Sequence, residues 1–322
     1  MNHRQTKYRQ SPPQLSSRLF LTDGGLETDL IFNHGFDLPA FAAHTLLETE
    51  RGRAALKHYF DGFIDLAHTH GTGLLLDCVT WRAQGAYAGE LDTDETELWR
   101  INHRAVQFAA GLRAGAANAS SLMVLNGVIG PSADAYVPGH MLNATEALDY
   151  HSQQISWLAE TEVDCITALT FNNAGEAIGV VRAANHAALP VAVSLTVETD
   201  GTLPSGQPLG EAIIEIDAQT KSGAMYFMVN CAHPDHFRHV LDDERWTHRL
   251  RGMRCNASRC SHAELDASET LDAGNPIELA ALYRRILTQL PWLNIVGGCC
   301  GSDLHHVSEI ARALTPAATG AA

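Results

Sequence analysis

The chain is poor in positive charge. Lysine and arginine together number 22 against 37 aspartates and glutamates, a formal net charge of −15 over 322 residues. Nucleic acids and anionic membrane surfaces recruit basic patches, so neither is expected as a partner and a small molecule is. No apolar stretch approaches the ~20 residues of a membrane span. The opening MNHRQTKYRQSPPQLSS also lacks the apolar centre of a secretory signal. The expectation is a cytoplasmic protein whose residues 1–16 form a polar tail. No Gly-x-Gly-x-x-Gly run follows a strand-like segment, which argues against an open dinucleotide-binding sheet. Seventeen histidines are present, notably His262, His305 and His306, yet no His-Glu-x-x-His spacing occurs to make them a metal motif.

What the chain does have is alternation. Apolar, β-branched runs fall at about 18–23, 73–80, 121–130, 165–171, 190–197, 224–232, 248–256 and 293–300. Between them lie stretches with helical spacing, such as Leu56, Tyr59, Phe60, Phe63, Ile64 and Ala67, or Leu209, Ala212, Ile213 and Ile216. Eight βα units predict a closed (β/α)8 TIM barrel of the α/β class, one domain over residues 17–314, ahead of a Rossmann-type open sheet. The seventh strand is the weakest, being rich in arginine and histidine. The Ala/Thr/Gly-rich end, residues 315–322, reads as a flexible tail.

Seven cysteines, an odd number in a chain without an export signal, make a disulfide framework improbable. Cys78 and Cys165 lie inside apolar runs and read as small buried hydrophobes. Cys255 and Cys260 flank a turn, and burial again suits them better than metal binding. Cys231 is different, because it ends the sixth run, and the pair Cys299 and Cys300 ends the eighth. In a barrel these ends reach the same rim across one intervening strand, with Gly297 and Gly298 letting the backbone pack closely. Side chains of adjacent strand residues point apart, so the turn must begin at or before Cys299. Three thiolates with no evident fourth ligand describe a Zn²⁺ site with an open position. Such a site carries a net charge near −1; it activates water poorly but holds an incoming thiol as its thiolate, which suits sulfur alkylation.

Specific motifs carry a resemblance over about Leu21 to Val307. They are Thr22-Asp23-Gly24-Gly25-Leu26-Glu27-Thr28, Asn126-Gly127-Val128-Ile129-Gly130-Pro131, Asn230-Cys231 and Gly297-Gly298-Cys299-Cys300-Gly301. With these the chain resembles the zinc-dependent homocysteine S-methyltransferase family. The resemblance implies a barrel in which Cys231, Cys299 and Cys300 bind zinc and act catalytically. A sulfonium or ammonium donor then methylates a zinc-held thiol, homocysteine giving methionine.

The resemblance also marks substrate contacts. Asp23, after the first strand, is expected near the amino-acid acceptor, with Glu27 a weaker candidate beside it. Relatives usually carry Glu-Thr after the fourth strand, and that glutamate is associated with the acceptor's amino group. This chain has Leu169-Thr170 there, so the acceptor differs or another carboxylate substitutes, Glu198 being the nearest by topology. Trp81 stands where relatives more often have Tyr or Phe, and an indole can face an onium donor. The run Ser258–Asp266 reads as a rim loop offering His262 and Glu264. Two other readings follow from the same residues: a related barrel enzyme that demethylates another onium compound or uses another thiol, and a metal-binding protein without turnover. Whether the chain forms a homo-oligomer is not written in its composition.

Overall fold

A computed structural model describes residues 6–116, 122–136, 139, 141–241 and 245–315. Eight parallel strands close into a barrel in chain order. They are β1 (Phe20–Leu21), β2 (Gly73–Cys78), β3 (Met123–Ile129), β4 (Cys165–Phe171), β5 (Val191–Leu195), β6 (Phe227–Asn230), β7 (Leu250–Cys255) and β8 (Ile295–Gly298). Every predicted run contains one of them. The ladders are shorter than the apolar runs because each strand leaves its neighbours before its buried stretch ends.

Long helices Glu50–Thr69, Glu95–Gly115, Ala144–Ala159, Ala174–His186, Leu209–Thr220, Pro276–Gln289 and Leu304–Leu314 cover the outside. Polar caps start them where the sequence allows: Thr49 accepts from Gly52 N, and Asn143 forms a reciprocal box with Glu146. Between β6 and β7 only the short helix Pro234–Phe237 and 3-10 turns appear among the described residues. That crossover has the least helical pattern in the sequence.

Strand alternation sorts the barrel interior into layers. The lower layer is an apolar plug of Phe20, Leu75, Val124, Cys165, Ala192, Tyr226, Met228 and Ile295. Two residues on, β2 to β6 carry Asp77, Asn126, Thr167, Ser194 and Asn230, and β7, which adds no side chain to the plug, carries Arg254 at this level, all buried. Asn126 donates to Asp77 (2.7 Å) and accepts from Thr167 (2.9 Å). Arg254 makes ion pairs with both Asp23 and Asp77. The basic character of β7 thus has partners: Arg254 points inward, and Arg249, just before the strand, pairs with Asp217 (2.6 Å).

Of the expected polar tail, residues 1–5 lie outside the described residues, and residues 7–16 pack against the barrel floor. The backbone N–H groups of Lys7 and Tyr8 donate to Asp164 Oδ1 at 2.9 and 2.7 Å. Arg9 donates to the carbonyls of Ala159, Thr161 and Val163, and Gln14 is fully buried. Asn294 donates to the carbonyls of Gln14, Ser16 and Arg18. A polar composition here reflects anchoring to polar groups at the floor. Of the expected C-terminal tail, residues 316–322 lie outside the described residues, and Thr315 Oγ1 sits 2.7 Å from His70 Nδ1.

Candidate active site at the barrel mouth

The C-terminal rim gathers the three singled-out cysteines. β7 sets their spacing, since Cys231 N donates to Arg254 O (3.0 Å) and Cys299 N to Cys255 O (2.9 Å). Added methyls would collide with Thr22 Oγ1 at Gly297 and with Ser302 Oγ at Gly298, so only glycine lets β8 approach this closely. The sulfurs of Cys231, Cys299 and Cys300 all lie within 4.8 Å of one another, the one such cluster of metal-ligating groups among the described residues.

Cys231 and Cys299 are joined as a disulfide, with Cα atoms 5.3 Å apart, and Cys300 Sγ lies 3.9 Å from Cys231 Sγ. A disulfide framework is the improbable arrangement, and one pair among seven cysteines is not such a framework. The bond arises from two strand ends brought together at a site rather than from an export-type framework, and Cys78, Cys165, Cys255, Cys260 and Cys300 remain free thiols.

The donor set fits zinc. Tetrahedral coordination at Zn–S of ~2.3 Å places sulfurs about 3.8 Å apart. The Cys231–Cys300 spacing of 3.9 Å already matches, and Cys299 joins them once reduced. Burial, then the charge of Glu27, pushes the Cys300 thiol up to about 11, against the lowering effect of a hydrogen bond with Tyr136. A thiol in that state needs a cation to become a thiolate at neutral pH.

Asn230 organises the cluster. Its side-chain oxygen accepts from Ser194 Oγ (2.6 Å) and Thr170 N (3.0 Å), while Nδ2 donates to Thr170 Oγ1 (2.7 Å) and faces Cys299 Sγ at 3.9 Å. Both Thr170 (φ 66°) and Cys231 (φ 53°) are held in the left-handed region, where a β-branched residue is strained. Thr170, expected to contact substrate, is turned inward to this network and buried.

Other expected residues are placed as follows. Asp23 is buried against Arg254 and receives Tyr59 Oη (3.3 Å); burial raises its carboxyl to about 7 although Arg254 opposes the shift. Glu27 is partly buried, its pKa raised by burial and lowered by the charges of Arg82 and Arg254. Trp81 donates its indole N–H to Leu169 O (3.1 Å), and the guanidinium over its ring, 3.9 Å from the centroid, is the chain's own Arg82. Glu198 Oε1 lies 3.5 Å from His262 Nδ1, while His262 Nε2 contacts Cys231 O (2.6 Å) and its ring packs on Tyr136 (4.2 Å). Glu264 turns back to Ser261 in a capping box and is exposed. His305 lies on the surface of the last helix, and His306 is spent on Asp303 and Ala273 O, so neither approaches the thiols. Cys255 is buried beside Tyr283, its thiol raised to about 12 by burial.

Sequence reasoning missed Arg254, Arg82 and Tyr136 at this mouth. Arg254 lay in the strand flagged for its basic residues; Tyr136 sits in a loop with no periodic pattern. A separate cavity of about 260 Å³ lies behind the β2 loop, lined by Gln84, Tyr150, His151, Gln154 and Trp157. It holds none of the thiols.

A closed parallel barrel with a three-sulfur cluster at its C-terminal rim defines an α/β barrel with a candidate metal centre where such folds carry their active sites. The chain belongs to the homocysteine S-methyltransferase family, whose model matches residues 20–314. Betaine–homocysteine S-methyltransferase 1 of Rattus norvegicus is 28% identical over 191 residues, 53% of this chain and 45% of that protein. Methionine synthase of Mycobacterium tuberculosis is 29% identical over 148 residues, 44% of this chain and 11% of that protein. The chain thus covers less than half the length of either relative. Among solved structures, the oxidized form of the homocysteine methyltransferase MmuM from Escherichia coli superposes with a TM-score of 0.71. It is 16% identical over 92% of this chain and 96% of that one. The metallated form of that enzyme gives 0.69 over the same shares. These structures establish the shared barrel.

Proposed function

We propose that the protein is a zinc-dependent methyltransferase that moves a methyl group from a sulfonium or ammonium donor to a thiol, homocysteine giving methionine. The observation that carries this is the convergence of Cys231, Cys299 and Cys300 within 4.8 Å at the barrel mouth. Family membership and the existence of a metallated form of the Escherichia coli enzyme support it. Those three sulfurs would hold the metal. Zinc, when bound, stabilises the acceptor's thiolate at neutral pH, where a free thiol of pKa ~8.5 is mostly protonated.

The chain's own residues do the rest. Asn230 fixes the Cys299 side and Tyr136 the Cys300 side, so the three sulfurs are held before a substrate arrives. The acceptor sulfur attacks the donor's methyl carbon. The carbon–sulfur or carbon–nitrogen bond to the positive centre breaks, and its electron pair stays on a neutral sulfide or amine. The Cys231–Cys299 disulfide removes two of the three sulfurs, so the competent chain is the reduced one.

A second reading, another thiol as acceptor, is favoured by Leu169, which presents an aliphatic side chain where relatives carry a glutamate. The experiment is a donor–acceptor matrix on reduced, zinc-loaded protein. S-methylmethionine, S-adenosylmethionine and betaine are crossed with homocysteine and other thiols, and methylated products are identified by mass. Methionine as the chief product establishes the first reading, and another methylated thiol the second. No methyl transfer to any thiol refutes both.

A further inference from the structure

We propose that Arg82 captures the carboxylate of the acceptor and is a specificity-determining residue of this mouth; the inference rests on the methyl-transfer reading above. Arg82 is held rigidly. Its guanidinium lies 3.9 Å from the centroid of Trp81 and 4.2 Å from that of Tyr87, and Nη1 donates to Tyr87 Oη, which in turn donates to Ala133 O (3.2 Å).

A partly buried guanidinium is normally matched by a carboxylate, as Arg254 is by Asp23 and Asp77. Arg82 has no such match. Among the described residues no carboxylate comes within ion-pair distance of it, and its buried Nε has no acceptor. A stacked, preset fork with free N–H groups is the arrangement that recognises a planar carboxylate.

Its position suits the acceptor. Trp81, beneath Arg82, is bonded to Leu169 O, and the next residue, Thr170, donates its N–H to Asn230, which faces Cys299 Sγ at 3.9 Å. Tyr87, which receives Arg82, donates to Ala133 O in the loop that carries Tyr136, and the Tyr136 ring packs 4.2 Å from His262, whose Nε2 lies 2.6 Å from Cys231 O. Glu27, on the short helix Leu26–Thr28 after β1, is a half-buried acid with no ion-pair partner among the described residues. An amino acid bearing a thiol then meets complementary groups at three points: its carboxylate at Arg82, its ammonium at Glu27 and its sulfur at the cysteines.

The test compares wild type with Arg82→Gln, both reduced and zinc-loaded. The acceptors are homocysteine and 3-mercaptopropylamine, which is homocysteine without its carboxylate. In Arg82→Gln the KM for homocysteine rises about ten- to a hundredfold while kcat and the KM for the donor stay within about twofold. With 3-mercaptopropylamine the two proteins behave alike. Calorimetric binding of methionine, which needs no free thiol, weakens by the same factor. Arg82→Lys, the variant to use if Gln lowers the melting temperature, raises the homocysteine KM by a smaller factor, about fivefold, because a point charge replaces the fork. An unchanged homocysteine KM in both variants, or a rise confined to the donor, overturns the assignment to the acceptor while leaving methyl transfer intact. A wild type that methylates no thiol overturns the reading on which the assignment rests.

Discussion

The floor and the mouth of this barrel are built from the same strands, two residues apart, and they could hardly differ more. At the floor the inward side chains form an apolar plug around Phe20, Tyr226 and Ile295, sealed by the N-terminal segment. At the mouth they are polar or charged, two backbone positions are strained, and three sulfurs crowd together. The comparison teaches where stability and chemistry are separated. Apolar burial at one end, at roughly 25 cal/mol per Å², offsets the cost of buried ions and left-handed residues at the other.

The separation can be broken from either side. The largest effect is expected at the mouth: Cys300→Ala lowers zinc below the expected ~1 per chain and reduces methyl transfer on the order of 10³-fold or more, with little change in melting temperature. Metal analysis beside a product assay checks it, and activity kept by the variant would detach the sulfurs from the chemistry. At the floor, Phe20→Ala costs about 3–5 kcal/mol in urea unfolding, while the folded fraction keeps its zinc. A loss of zinc from still-folded protein would show that the two ends are not separate.

Acid is expected to act from the mouth side. His44 lies in the loop after β1, and burial lowers its imidazole to about 4. The unfolded imidazole takes up a proton near 6.5 and the folded one only near 4. Its stabilising contribution is therefore complete above pH 6.5 and lost as pH falls to about 4, a change on the order of 3 kcal/mol. Urea titrations across that window should show the loss in wild type and a shallower slope in His44→Gln. The smallest effect concerns Asn230→Ala, which loosens Thr170 and Cys299 together and weakens zinc affinity about ten- to a hundredfold. A competition titration with a chelator reads it directly.

Much of this was legible in the sequence, for a physical reason. Parallel strands buried on both faces leave apolar, β-branched runs, and eight such runs alternating with helical spacing admit few topologies. The cysteines were legible because each ends such a run. Arg254 was not, since its partners Asp77 and Asp23 lie 177 and 231 positions away and no local pattern reports a pair that distant. Asp23 is buried against Arg254, and the guanidinium stacked on Trp81 belongs to the residue immediately after it, contacts that no local pattern reports. Tyr136 and His262 come from loops, where side-chain placement depends on the barrel beneath rather than on periodicity.

The anchoring of the first residues has a consequence for how the chain is made. Lys7 and Tyr8 leave the ribosome before the carboxylate that receives them, which is 157 and 156 positions further on. The side chain that receives Gln14 O, Asn294, is 280 positions further on. Contacts of such separation form only after the loop between them has been closed, so a segment made before the barrel docks among the last of its parts. Until β8 arrives the segment has only part of its seat, and its final docking marks the moment at which the barrel is complete.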